Sequence, residues 1–264
     1  MEDYNYKQLA SSYKKLGINK YSVIYLKSNL KNIGIPEQFK KNNILKRHFE
    51  VLNDVIDFSK QTIVVNTSST YLCNTSKPFN INKTEGENGI LSNYIRRQEK
   101  TYRSNHPFIS YSAIGKDSKY ITSKTSKFSF GDNTPEKRML NNNTICVCLG
   151  IKPRLSCTTI HQIEYEKHVP YRYIKEFNHP IINNLKIKKE KFYMHVLYKD
   201  MFYKRDRNKK IFQNFQKKVK QIPLGRDYIY SYDLANFYNH ACDLFDQNIY
   251  IWLKNEPKKK PFIK

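Results

Sequence analysis

Acidic residues are scarce in this 264-residue chain: 23 Asp and Glu stand against 47 Lys and Arg, a formal net charge of +24. Long apolar runs are missing as well. No stretch reaches the roughly 18–20 apolar residues of a membrane-crossing helix, and the start MEDYNYKQ lacks the basic-then-apolar pattern of a secretory signal. A soluble, cytosolic protein with no membrane span is therefore expected. Five cysteines (Cys73, Cys146, Cys148, Cys157 and Cys242) are an odd number with no C-x-x-C pair. They indicate neither a disulfide framework nor a zinc site, and no metal is expected.

What is present is material for a core. The chain is 39% hydrophobic and 14% aromatic, with 21 Tyr and 15 Phe, enough to offset the ordering entropy of folding. Its length suits one elaborated domain over residues 1–264, with no linker or internal repeat to mark a boundary. The positive charge suits an anionic partner: nucleic acid, an anionic membrane surface or an anionic small molecule. Lysine carries most of it, whereas a planar phosphate clamp favours arginine, and no nucleic-acid-binding motif is present.

Four short β-rich runs stand out, at residues 21–26 (YSVIYL), 62–65 (TIVV), 108–114 (FISYSAI) and 144–149 (TICVCL). The second and fourth are too continuously apolar for a strand with one wet face and read as central strands covered on both sides. Residues 48–58 place Phe49, Leu52, Val55 and Ile56 on one helical face, and residues 89–97 form a shorter helix candidate. Alternating strands and helices predict an α/β fold, a mixed central sheet with helices on both faces plus a smaller aromatic-rich lobe after Pro170. Residues 175–220 lack a clean period and read as an irregular subregion. Ser231 or Asp233 could cap a last amphipathic helix through Leu234, Phe237, Ala241 and Leu244. The end, residues 257–264, reads as solvated.

The stretch SCTTIHQIEYEKHVPYR, residues 156–172, carries the clearest chemistry. Thr159 and Gln162 have capping-box spacing, which predicts a helix whose first residues are Ile160 and His161. His161 and Glu164 then share a face, so the carboxylate can hold one imidazole nitrogen and leave the other to accept a proton. The helix dipole disfavours the imidazolium while Glu164 favours it, a balance suited to a general base. The same spacing also occurs in surface pairs. Three further segments place small polar residues and glycines beside expected strand ends, where ligands bind in open α/β sheets: residues 26–34, 103–115 and 128–135.

In order along the chain, these segments comprise Ser28, Leu30 and Gly34; Arg-Ser-x-His-Pro-x-x-Ser (103–110); Phe-Gly-x-x-Thr-Pro (130–135); Leu149-Gly150; and Thr158, His161 and Glu164. Together they resemble the aminoglycoside 3-N-acetyltransferases and their relatives, over about residues 16–173. The resemblance implies a mixed α/β sheet with an added smaller sheet region, and acyl transfer from a coenzyme A thioester to an amine on a sugar. It casts His161 as general base, Glu164 as its orienting carboxylate, and Thr158 either near the thioester or as a cap. Ser28, Asn29, Leu30, His106 and Ser110 fall on the cofactor side, and Arg103, Asn66 and Thr67 on the substrate side. Lys27 departs from the pattern, since many members carry histidine before this turn. Cys157 as an acyl-carrying nucleophile lacks a base partner, and the family reacts by direct attack.

Aminoglycosides are polycations, and a chain this basic attracts them poorly. The resemblance includes relatives that acylate nucleotide-linked amino sugars on the route to surface polysaccharide. That acceptor, a dTDP-type sugar, is the expected one, with an acetyl or hydroxybutyryl-type chain transferred. An aminoglycoside acceptor and a non-catalytic nucleic-acid binder are the alternatives. Arg96, Arg97, Arg103, Lys204, Arg205, Arg207 and Arg226 are candidates for anion contacts, each equally readable as solvated surface.

Overall fold

The computed structural model describes residues 4–34, 36, 44–183, 186–200 and 210–262. Its strands are β1 (Val23–Ser28), β2 (Thr62–Asn66), β3 (Phe79–Asn80), β4 (Tyr102–Arg103), β5 (Tyr111–Gly115), β6 (Thr144–Leu149), β7 (Arg172–Asn183), β8 (Lys186–Leu197), β9 (Lys220–Leu224) and β10 (Asp227–Asp233). The helices are α1 (Tyr6–Leu16), α2 (Leu30–Ile33), α3 (Ile44–Val55), α4 (Ile90–Arg96), α5 (Ser118–Thr122), α6 (Pro135–Leu140), α7 (Thr159–Glu166), α8 (Lys210–Phe215) and α9 (Leu234–Gln247).

Seven strands form one mixed sheet in the order β4-β5-β2-β1-β6-β10-β9. β1 pairs in parallel with β2 and β6, and β5 and β10 flank these three antiparallel. The two continuous apolar runs are interior strands, as their composition requires, and every residue of TIVVN and TICVCL is buried. Alternate residues feed opposite faces. Val23, Tyr25, Val64, Cys146 and Cys148 pack with α7 and α9 through Ile160, Ile163, Phe237 and Phe245. Ile24, Leu26, Ile63, Val65 and Val147 pack on the other side with α1, α3 and α4 through Leu9, Tyr13, Leu52 and Leu91. The expected sheet with helices on both faces is the observed one.

Boundaries differ in places. β1 starts at Val23 and β5 at Tyr111, because Phe108 turns out of the sheet into the smaller core. Asp233, not Ser231, caps α9: its side chain accepts from Asn236 N at 2.8 Å, while Ser231 is a residue of β10. The segment expected to be irregular, 175–220, contains most of a long antiparallel hairpin, with β7 and β8 paired from Arg172↔Leu197 to Asn183↔Lys186. Lysine on the hairpin's exposed outer half hides its alternation; Lys186, Lys188 and Lys189 are exposed, and only further along do Phe192 and Met194 go inward. With β3 the hairpin forms a three-stranded sheet, and Phe79, Phe108, Ile181, Phe192 and Met194 form its core. This is the expected aromatic-rich lobe. Lys204, Arg205 and Arg207 lie outside the described residues. Among the described residues, no helix is long and apolar enough to cross a membrane.

Candidate functional site

A cleft of about 670 Å³ opens at the carboxyl ends of the parallel strands, with Ser28, Asn29, Asn66, Arg154, Thr158 and His161 among its lining. Such a position follows from topology, since chain reversals beyond the parallel strands leave a crevice there. Two loops keep it tight. Gly150, just after β6, has φ 64°, and a Cβ on it would stand 2.5 Å from Asn29 O, so the Leu-Gly turn can press against the Ser28–Leu30 turn only as glycine. Gly131 has φ 104°, and a Cβ there would meet the Tyr165 ring of α7 at 2.5 Å.

α7 begins one residue earlier than its sequence predicts. Thr159 is its first residue, and the expected capping box does not form. The Thr159 hydroxyl instead donates to the buried Glu136 carboxylate at 2.6 Å, and Gln162 Oε1 accepts from Gly131 N at 2.9 Å. The Phe-Gly-x-x-Thr-Pro segment thereby anchors α7 to α6, whose N-cap is Thr134. Phe130 of the same segment packs against the His161 ring, 5.7 Å between centroids.

His161 and Glu164 meet as their spacing predicts, with Nδ1 2.7 Å from Oε2. The carboxylate is fully buried, and the His161 side chain is 25% exposed on the cleft. A third group, not expected from the sequence, completes the cluster. Arg172, the first residue of β7, brings Nε to 2.8 Å from the same Glu164 oxygen and Nη2 to 3.2 Å from His161 Nδ1, while Nη1 donates to His195 O. Burial alone would raise the Glu164 carboxyl. The Arg172 charge and the His161 hydrogen bond outweigh it and hold it down at about 2. The result is a permanently ionised carboxylate behind an imidazole at a cleft wall, an arrangement able to orient and charge-balance a general base.

Thr158 occupies the N-cap position but makes no side-chain cap bond, which corrects the capping alternative. Its Oγ1 lies 2.9 Å from Tyr25 OH instead. Beneath it, Lys27 Nζ sits 4.3 Å from the Tyr25 ring centroid and donates to Ser156 O at 2.5 Å. Burial disfavours the Lys27 ammonium, but its electrostatics with Cys146, Tyr25, Cys157 and Cys148 outweigh burial and leave its pKa raised. Burial pushes the Cys157 thiol up to about 12, with Lys27 offsetting only part, so thiolate is scarce at neutrality and the nucleophile alternative loses its chemical basis.

Of the residues expected on the cofactor side, Ser28, Asn29 and Leu30 line the cleft and His106 and Ser110 do not. His106 is buried between Phe108 and Phe192, its Nδ1 accepting from Phe108 N and Ile109 N, and burial drives its pKa down to about 3. The Ser110 hydroxyl donates to Thr67 O at 2.9 Å. On the expected substrate side, Asn66 lines the cleft; Thr67 and Arg103 sit behind it. Arg103 spends its guanidinium on the carbonyls of Thr67, Thr84 and Ile81 and on the Ser110 hydroxyl. The Arg-Ser-x-His-Pro-x-x-Ser segment therefore braces the loops around the cleft. Arg96 likewise donates to Asn82 O, and Arg97 pairs with Glu85.

Tyr25, Glu87 and Trp252 line the cleft without having been singled out. Tyr25 was legible only as one apolar residue of a strand. Trp252 comes from far along the chain, and nothing local to it signals the contact.

A sequence model for the aminoglycoside 3-N-acetyltransferases matches residues 56–246, a span that includes His161, Glu164 and Arg172. Among solved structures, the chain is similar to the YokD protein from Bacillus subtilis, at 20% identity over 94% of this chain and 96% of that one, TM-score 0.77. It is also similar to aminoglycoside acetyltransferase AAC(3)-IVa as apoenzyme, at 17% identity over 98% and 93% of the two chains, TM-score 0.74. A third likeness is to AAC-IIIb in binary complex with CoASH, at 16% identity over 97% and 100%, TM-score 0.77. No curated protein sequence matches the chain. The structural likenesses establish the fold, and the match over well over half of the sequence establishes the lineage: the chain belongs to the aminoglycoside 3-N-acetyltransferase family.

Proposed function

We propose that the protein transfers a short acyl group from coenzyme A to the amine of a nucleotide-linked amino sugar, with His161 as general base and direct attack of the amine on the thioester. Membership of the family makes it an acetyltransferase that uses a coenzyme A thioester as acyl donor. The cleft fits that donor: the Ser28–Leu30 turn lies along it and Lys31 and Arg154 stand in its lining, where a chain of phosphates needs hydrogen-bond donors and positive charge. His161 takes the proton that the attacking amine loses, and Glu164 holds the ring and balances the imidazolium.

The observation that carries the choice of acceptor is charge. Glu87 is the one acidic residue among the described residues that line the cleft, in a chain of net charge +24. A polycation would meet repulsion there, and an acceptor bearing a diphosphate would meet attraction. The second reading, an aminoglycoside acceptor, is favoured by the family's own description and by the relatives solved as aminoglycoside acetyltransferases. A screen of nucleotide-linked 3-amino and 4-amino sugars beside aminoglycosides, read by thiol release from acetyl- and hydroxybutyryl-coenzyme A, decides between them. A clearly higher specificity constant for an aminoglycoside reverses the acceptor and leaves the acyl-transfer chemistry standing.

A further inference from the structure

A buried cation lies in the cleft wall with thiols, not carboxylates, around it among the described residues. Lys27 is 7% exposed, and the ion pairs of the described residues give it no carboxylate partner. Its surroundings are a backbone carbonyl, a phenol ring and thiols: Ser156 O, Tyr25, Cys157, Cys148 opposite it on β6, and Cys146, whose thiol burial would raise but the Cys148 hydrogen bond and the Lys27 charge bring down to about 7. An ammonium has three donors, and Ser156 O takes one. Burying such a charge is costly unless something negative meets it, and a ligand atom that is negative or becomes so meets it better than a partly ionised thiol does.

The neighbours say which atom. Lys27, Thr158 and His161 line one cleft, and Tyr25 ties them together, its ring under the ammonium and its hydroxyl 2.9 Å from Thr158 Oγ1 at the start of α7. When the acceptor amine attacks the thioester, a C–N bond forms and the carbonyl π pair moves onto oxygen, while His161 removes the proton from nitrogen. Return of that pair breaks the C–S bond, and the sulfur leaves as thiolate and regains a proton from the imidazolium. Negative charge thus develops on the carbonyl oxygen, next to the base.

We propose that Lys27 binds the carbonyl oxygen of the acyl donor and stabilises it as it becomes anionic, a role that rests on the acyl-transfer reading above. Inside a dry site a fixed cation is worth far more than at a surface. Ser156 O and the Tyr25 ring hold the ammonium in place, so little reorganisation is needed at the moment of reaction. The phosphates of the donor have better partners in Lys31, which is exposed, and Arg154, which is half-buried.

The test compares two coenzyme A analogues by calorimetry: acetonyl-coenzyme A, a ketone with the carbonyl retained, and propyl-coenzyme A, which has none. The wild-type protein is expected to bind the ketone at least tenfold more tightly. Lys27→Met and Lys27→Gln should abolish that preference, leave propyl-coenzyme A affinity unchanged, and lower turnover about 100-fold; Lys27→Arg should restore part. Because the variants remove a buried charge, their Tm should be unchanged or higher. Equal weakening of both analogues would make Lys27 a phosphate or pantetheine contact and overturn the proposal, as would survival of the preference. The infrared carbonyl stretch of the ketone bound to wild-type protein needs no variant: a shift to lower frequency than in water is expected, and an unshifted band overturns the proposal. Failure of the wild-type protein to bind coenzyme A itself would bring down the acyl-donor reading and this role with it.

Discussion

Arg172 Nε stands 2.8 Å from the Glu164 oxygen that also holds His161 Nδ1. One carboxylate therefore serves two cations, a permanent one and a transient one. Glu164 is kept ionised by Arg172, so in the proposed mechanism the imidazole is the member of the cluster that changes charge during turnover.

Replacing Arg172 with Met should raise the pH at which activity appears. The guanidinium lies 3.2 Å from His161 Nδ1 and opposes protonation of the ring. Without it the acid limb of the kcat/KM profile is expected to move to higher pH, with a fall of roughly tenfold at pH 7. The variant should also lose about 3–5 kcal/mol of stability in urea, because a buried carboxylate loses its main counter-charge. An unmoved acid limb would restrict Arg172 to packing.

Glu164 makes stability fall in acid. Its carboxyl titrates at about 2 in the folded protein, below its ordinary 4.5, so the unfolded chain binds the proton more readily. Its contribution, about 3 kcal/mol, is full above pH 4.5 and is lost as pH falls through about 2. Urea unfolding of wild type and Glu164→Gln between pH 2 and 6 should show the gap between them closing on acidification. A constant gap would contradict the ion-pair account.

Gly131→Ala should disturb the site from outside it. The substitution strains a residue at φ 104° and drives a methyl into the Tyr165 ring, at a cost of about 1–3 kcal/mol. Because Gly131 N also holds Gln162, α7 is expected to shift and turnover to fall along with Tm. A drop in Tm with unchanged kcat would show that α7 stays in place.

What was legible in the chain was local. TIVV and TICVCL announce interior strands by being apolar at every position, and His161 and Glu164 meet because three residues along a helix return to the same face. What was not legible depends on partners far away in sequence. Arg172 lies eight residues beyond Glu164, past the end of α7, and reaches it only because the turn at 167–171 folds β7 back. Thr159 and Gln162 have the spacing of a capping box, yet Glu136 and Gly131 outcompete the helix backbone for their side chains. The β7–β8 hairpin hid behind its lysines. His106 and Ser110 belong to a motif whose polar atoms turn inward to brace loops, a use that composition cannot distinguish from ligand binding.

The most direct test is turnover of His161→Ala at neutral pH, with chemistry shown to be rate-limiting and coenzyme A affinity measured alongside. A fall of roughly 100-fold or more is expected, with coenzyme A affinity little changed, a smaller loss for Glu164→Gln, and recovery of the residual rate as pH rises and solvent deprotonates the amine. Wild-type turnover in His161→Ala would contradict the account at its centre and leave the histidine a structural residue of the cleft wall.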